Sequence, residues 1–155
     1  MALLVVVGCK GFNSVDPDAA GPAAKNYWQL LQANDVSKAM EMYDGSVWST
    51  DPNLRSSWPE FLGGLGQKFG PVVSAELRGK KWFPGSSLVS DHRVFVCYAY
   101  DYDVKRQTLV SQERLVFCGE PHAAARDMHI YGHGLKRQDT QQSVRVGIDV
   151  QEKSL

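Results

Sequence analysis

The sequence lacks any charge bias: seventeen Lys and Arg offset seventeen Asp and Glu, for a formal net charge of +0. No basic stripe mixes with aromatics either. That argues against a sequence-independent nucleic-acid binder, which needs many phosphate contacts. No apolar run approaches the ~20 residues that carry a helix across a bilayer. The stock of catalytic motifs is equally thin. There is no GxSxG elbow, no HExxH and no phosphate-cradling glycine loop. Gly63-Gly64-Leu65-Gly66 has no Lys-Ser/Thr after it and falls inside a helical pattern. His129 and His133 would converge on one ion only on a helix, and the flanking Gly132 and Gly134 argue against a helix there. On a strand, four residues span about 13 Å, too far to share a metal. The sequence therefore calls for no metal and no cofactor.

What is present suits one folded domain. Hydrophobic residues make up 43% of the 155 and charged residues 22%, too apolar for a disordered chain and enough for a single core. Lys10 to Gly21 reads as a solvated tether, because Gly11, Asn13, Ser14, Asp16, Pro17 and Asp18 break every periodicity.

Ahead of that tether, the run from Met1 closes on Val6-Val7-Gly8-Cys9. This resembles the lipobox of bacterial lipoproteins, where an aliphatic, a small or β-branched residue and Gly or Ala precede the Cys that is lipidated. The resemblance implies a signal peptide over 1–8, a lipidated Cys9, a tether over 9–21, and membrane attachment through acyl chains alone. Inner-membrane lipoproteins tend to carry Asp directly after that Cys. Lys10 stands there, so the resemblance favours a periplasm-facing protein of the outer membrane.

Three helices are expected next. Ala24, Tyr27, Trp28 and Leu31 form one apolar stripe of a helix starting near Pro22. Val36, Ala39, Met40 and Tyr43 repeat the spacing, with Asn34-Asp35 as turn and cap. Ser57-Trp58-Pro59-Glu60 reads as a capping box opening a third helix, lined by Trp58, Phe61, Leu62, Leu65 and Phe69. Its glycines weaken it unless they let a sheet approach closely.

From Pro71 the period becomes two. Val73, Ala75 and Leu77 alternate with polar residues, and Arg93 to Asp103 and Leu109 to Cys118 read as a long hairpin. Its turn is placed at Val104-Lys105-Arg106-Gln107. That register sets Tyr98 opposite Glu113 and Asp101 opposite Val110, with Asp101 and Tyr98 on opposite faces. It also sets Cys97 opposite Arg114 and Cys118 opposite Arg93, about 13 Å out of step, against a limit of about 7 Å between bonded Cα atoms. Two buried free thiols are expected, although an even pair in an exported chain invites a disulfide. Met128 and Ile130 continue as a fourth strand, and Val144, Val146, Ile148 and Val150 alternate in the tail.

Helices followed by a curved antiparallel sheet of four to five strands is an α+β order. Over 22–137, with 138–155 as a tail, the chain resembles the NTF2-like (SnoaL-like, cystatin-like cone) superfamily. The stretches that carry the resemblance are Ala24-to-Tyr43 with its Asn34-Asp35 break, Trp58-to-Phe69, the hairpin, and Asp127-Met128-His129-Ile130-Tyr131-Gly132-His133. The resemblance implies a conical cavity that different members use as an enzyme site, a ligand pocket or an inert core. Many members dimerise through the sheet.

Candidates for lining such a cavity are Tyr98, Tyr100, Asp101, Glu113 and His133. A lyase or isomerase would need an acid with a Tyr or His there, where burial raises a carboxyl pKa. The register gives no single acid-Tyr pair, and Glu113 and Arg114 read equally well as sheet-surface charges beside a half-buried tyrosine row. The preferred expectation is a non-catalytic interaction or assembly module of the envelope. Its partners would be other envelope proteins or a second copy, met through the open sheet face or by strand addition from Val144, Val146, Ile148 and Val150. A small-ligand cone is the alternative. A ligand binder should show a sizeable apolar cavity, an assembly module a filled interior and an outer contact face.

Overall fold

Helices and strands segregate along the chain, as α+β order requires, with four helices followed by a five-stranded antiparallel sheet. The computed structural model describes residues 20–49, 51–86, 95–120, 123–138 and 143–147. The expected signal peptide, Cys9, most of the tether, Ile148 and Val150 lie outside the described residues.

Helix α1 (Gly21–Gln32) buries Ala24, Tyr27, Trp28 and Leu31, the stripe that the spacing predicts, and Ala23 beside them. Asn34, at φ 56°, makes the turn. Asp35 caps α2 (Val36–Glu41) by accepting from the Lys38 N–H. That helix ends sooner than its pattern implies. Tyr43 leaves it and bridges Ile130 in parallel. The Asp44 N–H donates to the Ile130 carbonyl at 2.9 Å, and the Ile130 N–H donates to the Met42 carbonyl at 2.8 Å. A short helix α3 (Gly45–Ser49) follows, with no counterpart in the sequence reading.

Helix α4 (Leu54–Phe69) corrects the expected capping box. Ser57 N–H already donates to the Asn53 carbonyl, so helical bonding begins there and Pro59 sits inside the helix. Trp58, Leu62 and Leu65 are buried; Phe61 and Phe69 pack partly against the core. No sheet closes on the helix glycines: a Cβ at Gly63 or Gly64 would meet nothing within 4 Å. Gly64→Ala should therefore stabilise the fold by up to about 1 kcal/mol through helix propensity. The check is a higher urea midpoint with an unchanged slope. Gly70, by contrast, needs its positive φ of 82°, and a Cβ there would collide with the Gln107 side chain.

The sheet is a simple meander, β1 (Val72–Ser86), β2 (Phe95–Arg106), β3 (Val110–Gly119), β4 (His129–Arg137) and β5 (Ser143–Gly147), paired in that order. The hairpin turn is Gln107-Thr108, closed by the Arg106 N–H on the Leu109 carbonyl at 2.8 Å. It lies two residues beyond the expected turn, and two residues at a turn shift the register by four. Tyr98 consequently faces Phe117, Asp101 faces Arg114, and Cys97 faces Cys118. An even shift keeps every side chain on its face, so the assignment of faces stands while the partners change.

Cys97 and Cys118 form a disulfide, with Cα atoms 4.2 Å apart, in place of the expected free thiols. They lie buried with Tyr131 in a cluster of their own. A bond between residues 21 apart should contribute about 3 kcal/mol. Urea unfolding with and without reductant measures it; coincident curves would show that the bond adds nothing.

Edge strand β1 departs from its apolar pattern. Val73 and Leu77 are 54% and 51% exposed, while Val72 is buried. Irregularities at Val72/Ser74 and Leu77/Gly79 break the ladder, so this stripe only grazes the core. The tail also differs from expectation. Val144 and Val146 belong to the chain's own sheet, opposite Leu135 and His133, and are no free strand for another chain. Val146 is buried, which gives the tail a reason to stay.

Candidate functional site

Strand alternation aims Tyr98, Tyr100, Tyr102, Val104 and Arg106 of β2 at the helices, with Ser111, Glu113, Leu115 and Phe117 of β3 beside them. All are buried, so the tyrosine row is core and not half-exposed. Three of these inward positions, with His133 on β4, are charged or polar: Arg106, Glu113 and His133 are only 3%, 2% and 1% exposed, and Ser111 is buried.

These groups form one hydrogen-bonded circuit. Arg106 Nη1 donates to Glu113 Oε1 at 2.8 Å and to Ser111 Oγ at 3.1 Å. Ser111 Oγ donates to the same carboxylate oxygen at 2.7 Å. The other oxygen, Glu113 Oε2, stands 2.7 Å from His133 Nε2. On the far side of the ring, His133 Nδ1 meets the Tyr27 and Tyr43 hydroxyls at 3.0 and 3.1 Å. Those hydroxyls lie 3.0 Å apart, and Trp58 Nε1 donates to Tyr43 at 3.0 Å. Tyr27, Trp28 and Trp58 also pack edge-on around the imidazole, with centroids 5.3–6.0 Å away. Helices α1 and α4, the segment after α2, the hairpin and β4 all meet at this point.

Donor counting fixes the tautomer. The carboxylate accepts at Nε2, so Nε2 carries a proton. Trp58 donates to Tyr43, one phenol donates to the other, and the second phenol's proton is left for Nδ1. Every group is then satisfied with a neutral ring, whereas a proton on Nδ1 would leave a phenol hydrogen without an acceptor.

The same geometry sets the acidities. Burial pushes the Glu113 carboxyl up, but the hydrogen bond from His133 and the Arg106 guanidinium beside it outweigh burial and hold the carboxyl at about 2. Burial raises both Tyr27 and Tyr43 well above the ordinary phenol value, so they remain protonated donors.

Of the five residues expected to line a cavity, Glu113 and His133 are brought together. Tyr98 and Tyr100 share their face but stand outside the circuit, Tyr100 edge-on to Phe117 at 6.2 Å. Asp101 is on the outer face, where Arg114 donates to it through two bonds at 2.6 and 2.9 Å. Reading Glu113 as a surface charge was wrong; Arg114 is the surface charge. The sequence reading also missed Tyr27, Tyr43, Trp58, Arg106 and Ser111 as members of a site. Parity could have found two of them, because Ser111 alternates with Leu115 and Phe117, and Arg106 with Val104 and Tyr102.

A Glu–His pair with phenols is the equipment of proton transfer, but here both carboxylate oxygens, both ring nitrogens and both phenol hydroxyls have internal partners. The Tyr43 ring borders an open cleft of about 410 Å³ beside Met40, Trp48 and Arg55. Its hydroxyl is already engaged by Trp58, Tyr27 and His133. Among the described residues no three His, Cys, Asp or Glu side chains gather as a metal site. Set beside protein-family models, curated proteins and solved structures, the chain matches none of them.

Proposed function

We propose that this chain is an exported, lipid-anchored NTF2-like domain that serves the bacterial envelope as a non-catalytic interaction module, facing the periplasm from the outer membrane. The observation that carries the non-catalytic reading is the closed circuit around His133. A substrate would have to displace partners that the circuit already supplies, in an interior filled by Tyr27, Tyr98, Tyr100, Phe117 and Leu115. Contact is then left to the outer surface. The order of helices followed by a meander with His133 on its inner face favours the NTF2-like cone.

Export draws independent support from the Cys97–Cys118 disulfide, since such bonds persist in the periplasm and not in a reducing cytosol. It agrees with the lipobox resemblance ending at Cys9. The alternative, a small-ligand cone with lyase or isomerase activity as its extreme form, draws on Glu113 and His133 alone.

Labelling with a palmitate analogue tests the anchor. Cys9 should take the label, and Cys9→Ser should move the protein from the membrane pellet to the soluble fraction. A Ser variant that still sediments after a high-salt wash would sink the lipoprotein reading.

A further inference from the structure

Where the chain leaves α2 at Tyr43 it turns through α3 before α4 begins, and Asp44 fixes that turn. Its carboxylate accepts from the Ser46 N–H at 2.9 Å and from the Ser46 hydroxyl at 2.6 Å, with Val47 buried beneath. Trp48 is thereby set against Tyr43, tilted, with centroids 5.1 Å apart. Between these rings, the end of α2 and the first turn of α4 lies the cleft of about 410 Å³, within the size range of small-ligand sites. Gly45 stands at its mouth, where a Cβ would meet nothing within 4 Å.

The floor is apolar: Met40 and Trp48, both half-buried, and the buried Tyr43. The Tyr43 hydroxyl is engaged by the interior circuit, so that residue offers the cleft its ring alone. The rim carries one charge of each sign, Glu41 from α2 and Arg55 from α4, both exposed. They do not pair with one another, and among the described residues neither side chain makes a hydrogen bond or an ion pair. Lys38 is drawn by the Glu41 charge, yet its ammonium is held by Asp35 at 2.8 Å. A simple anion would be repelled by Glu41 and a simple cation by Arg55. A sugar would leave both charges without a counter-charge. A small zwitterion with an apolar body meets all three features, and guanidinium takes a carboxylate in two-pronged geometry.

We propose that this cleft binds a free α-amino acid with an aromatic or aliphatic side chain. Arg55 receives its carboxylate, Glu41 its ammonium, and Met40, Trp48 and the Tyr43 ring its side chain. The site lies outside the sealed circuit, and the assignment goes beyond the envelope reading without resting on the anchor.

Calorimetric titration of the full chain in detergent with L-phenylalanine tests it, and binding should saturate. Phenylalaninamide lacks the carboxylate and N-acetylphenylalanine lacks the ammonium. Each should bind more weakly by about tenfold or more, the worth of one charge-assisted hydrogen bond. Arg55→Gln should lose the preference for phenylalanine over its amide, and Glu41→Gln the preference over its N-acetyl form, which ties each charge to its partner. Both side chains are exposed, so the melting temperature should stay unchanged in either variant. No saturable binding of phenylalanine, or an Arg55→Gln variant that binds it as well as the parent, would overturn the site. Tighter binding of glycerophosphoethanolamine would overturn the amino acid in favour of a lipid headgroup. Membrane release of Cys9→Ser is read separately, so a failed cleft and a failed anchor are told apart.

Discussion

Glu113→Ala should cost about 3–5 kcal/mol, because it leaves the Arg106 guanidinium buried with no carboxylate to meet it. It also removes the acceptor that holds His133 in its tautomer. Glu113→Gln refines the result by keeping the volume and losing the charge. With a folded pKa held at about 2, the carboxylate contributes stability that is fully present above its unfolded pKa of about 4.3 and is lost as pH falls through 2. The parent should therefore lose on the order of 3 kcal/mol between those limits, a step that Glu113→Gln lacks. Urea unfolding of both proteins at pH 7, 4 and 3 measures the difference. Parallel losses in the two would mean that Glu113 is not ionised in the core.

Trp58→Ala should be comparably severe, about 3–5 kcal/mol, since the indole is buried and stacks on Phe61 with centroids 5.2 Å apart. The loss has two parts, packing and the hydrogen bond to Tyr43. Trp58→Phe separates them: it keeps most of the ring, drops the N–H donor, and should cost about 1 kcal/mol for the hydrogen bond plus a small packing loss. An alanine variant as stable as the parent in urea would remove α4 from the core.

The burial of Glu113 beside Arg106 and the hydrogen bond from Trp58 to Tyr43 are contacts that no local pattern announces. The stripes of α1 and the alternation of β2 and β3 were legible, because periodicity of 3.6 or 2 is written in neighbouring residues. The hairpin register was not. Gln107-Thr108 carries none of the Gly, Asn or Asp that usually marks a two-residue turn, while Lys105-Arg106 looks equally polar. That misplacement hid the disulfide, which depends on the partner of Cys97 and not on its face. The α4 start was misread because Ser57-Trp58-Pro59-Glu60 satisfies a capping pattern locally, one turn after Asn53 has already begun the helix.

The interior circuit lay further out of reach. His133 finds Glu113 across 20 residues and Tyr27 across 106. A polar residue on an apolar face is visible in sequence; which distant phenol satisfies it is a property of the packed fold. Glu113 and His133 were named as candidates for their chemistry alone. What that chemistry does follows from burial, which turns a plausible acid–base pair into a satisfied structural knot.

The proposed non-catalytic role of the interior is most directly tested by NMR of the His133 imidazole in ¹⁵N-labelled protein. The expected result is a downfield Nε2–H resonance that exchanges slowly with water and does not move when small apolar or carbonyl ligands are added. A resonance that exchanges fast, or shifts with such a ligand, would show that the Glu113–His133 pair is open to substrate and contradict the non-catalytic reading.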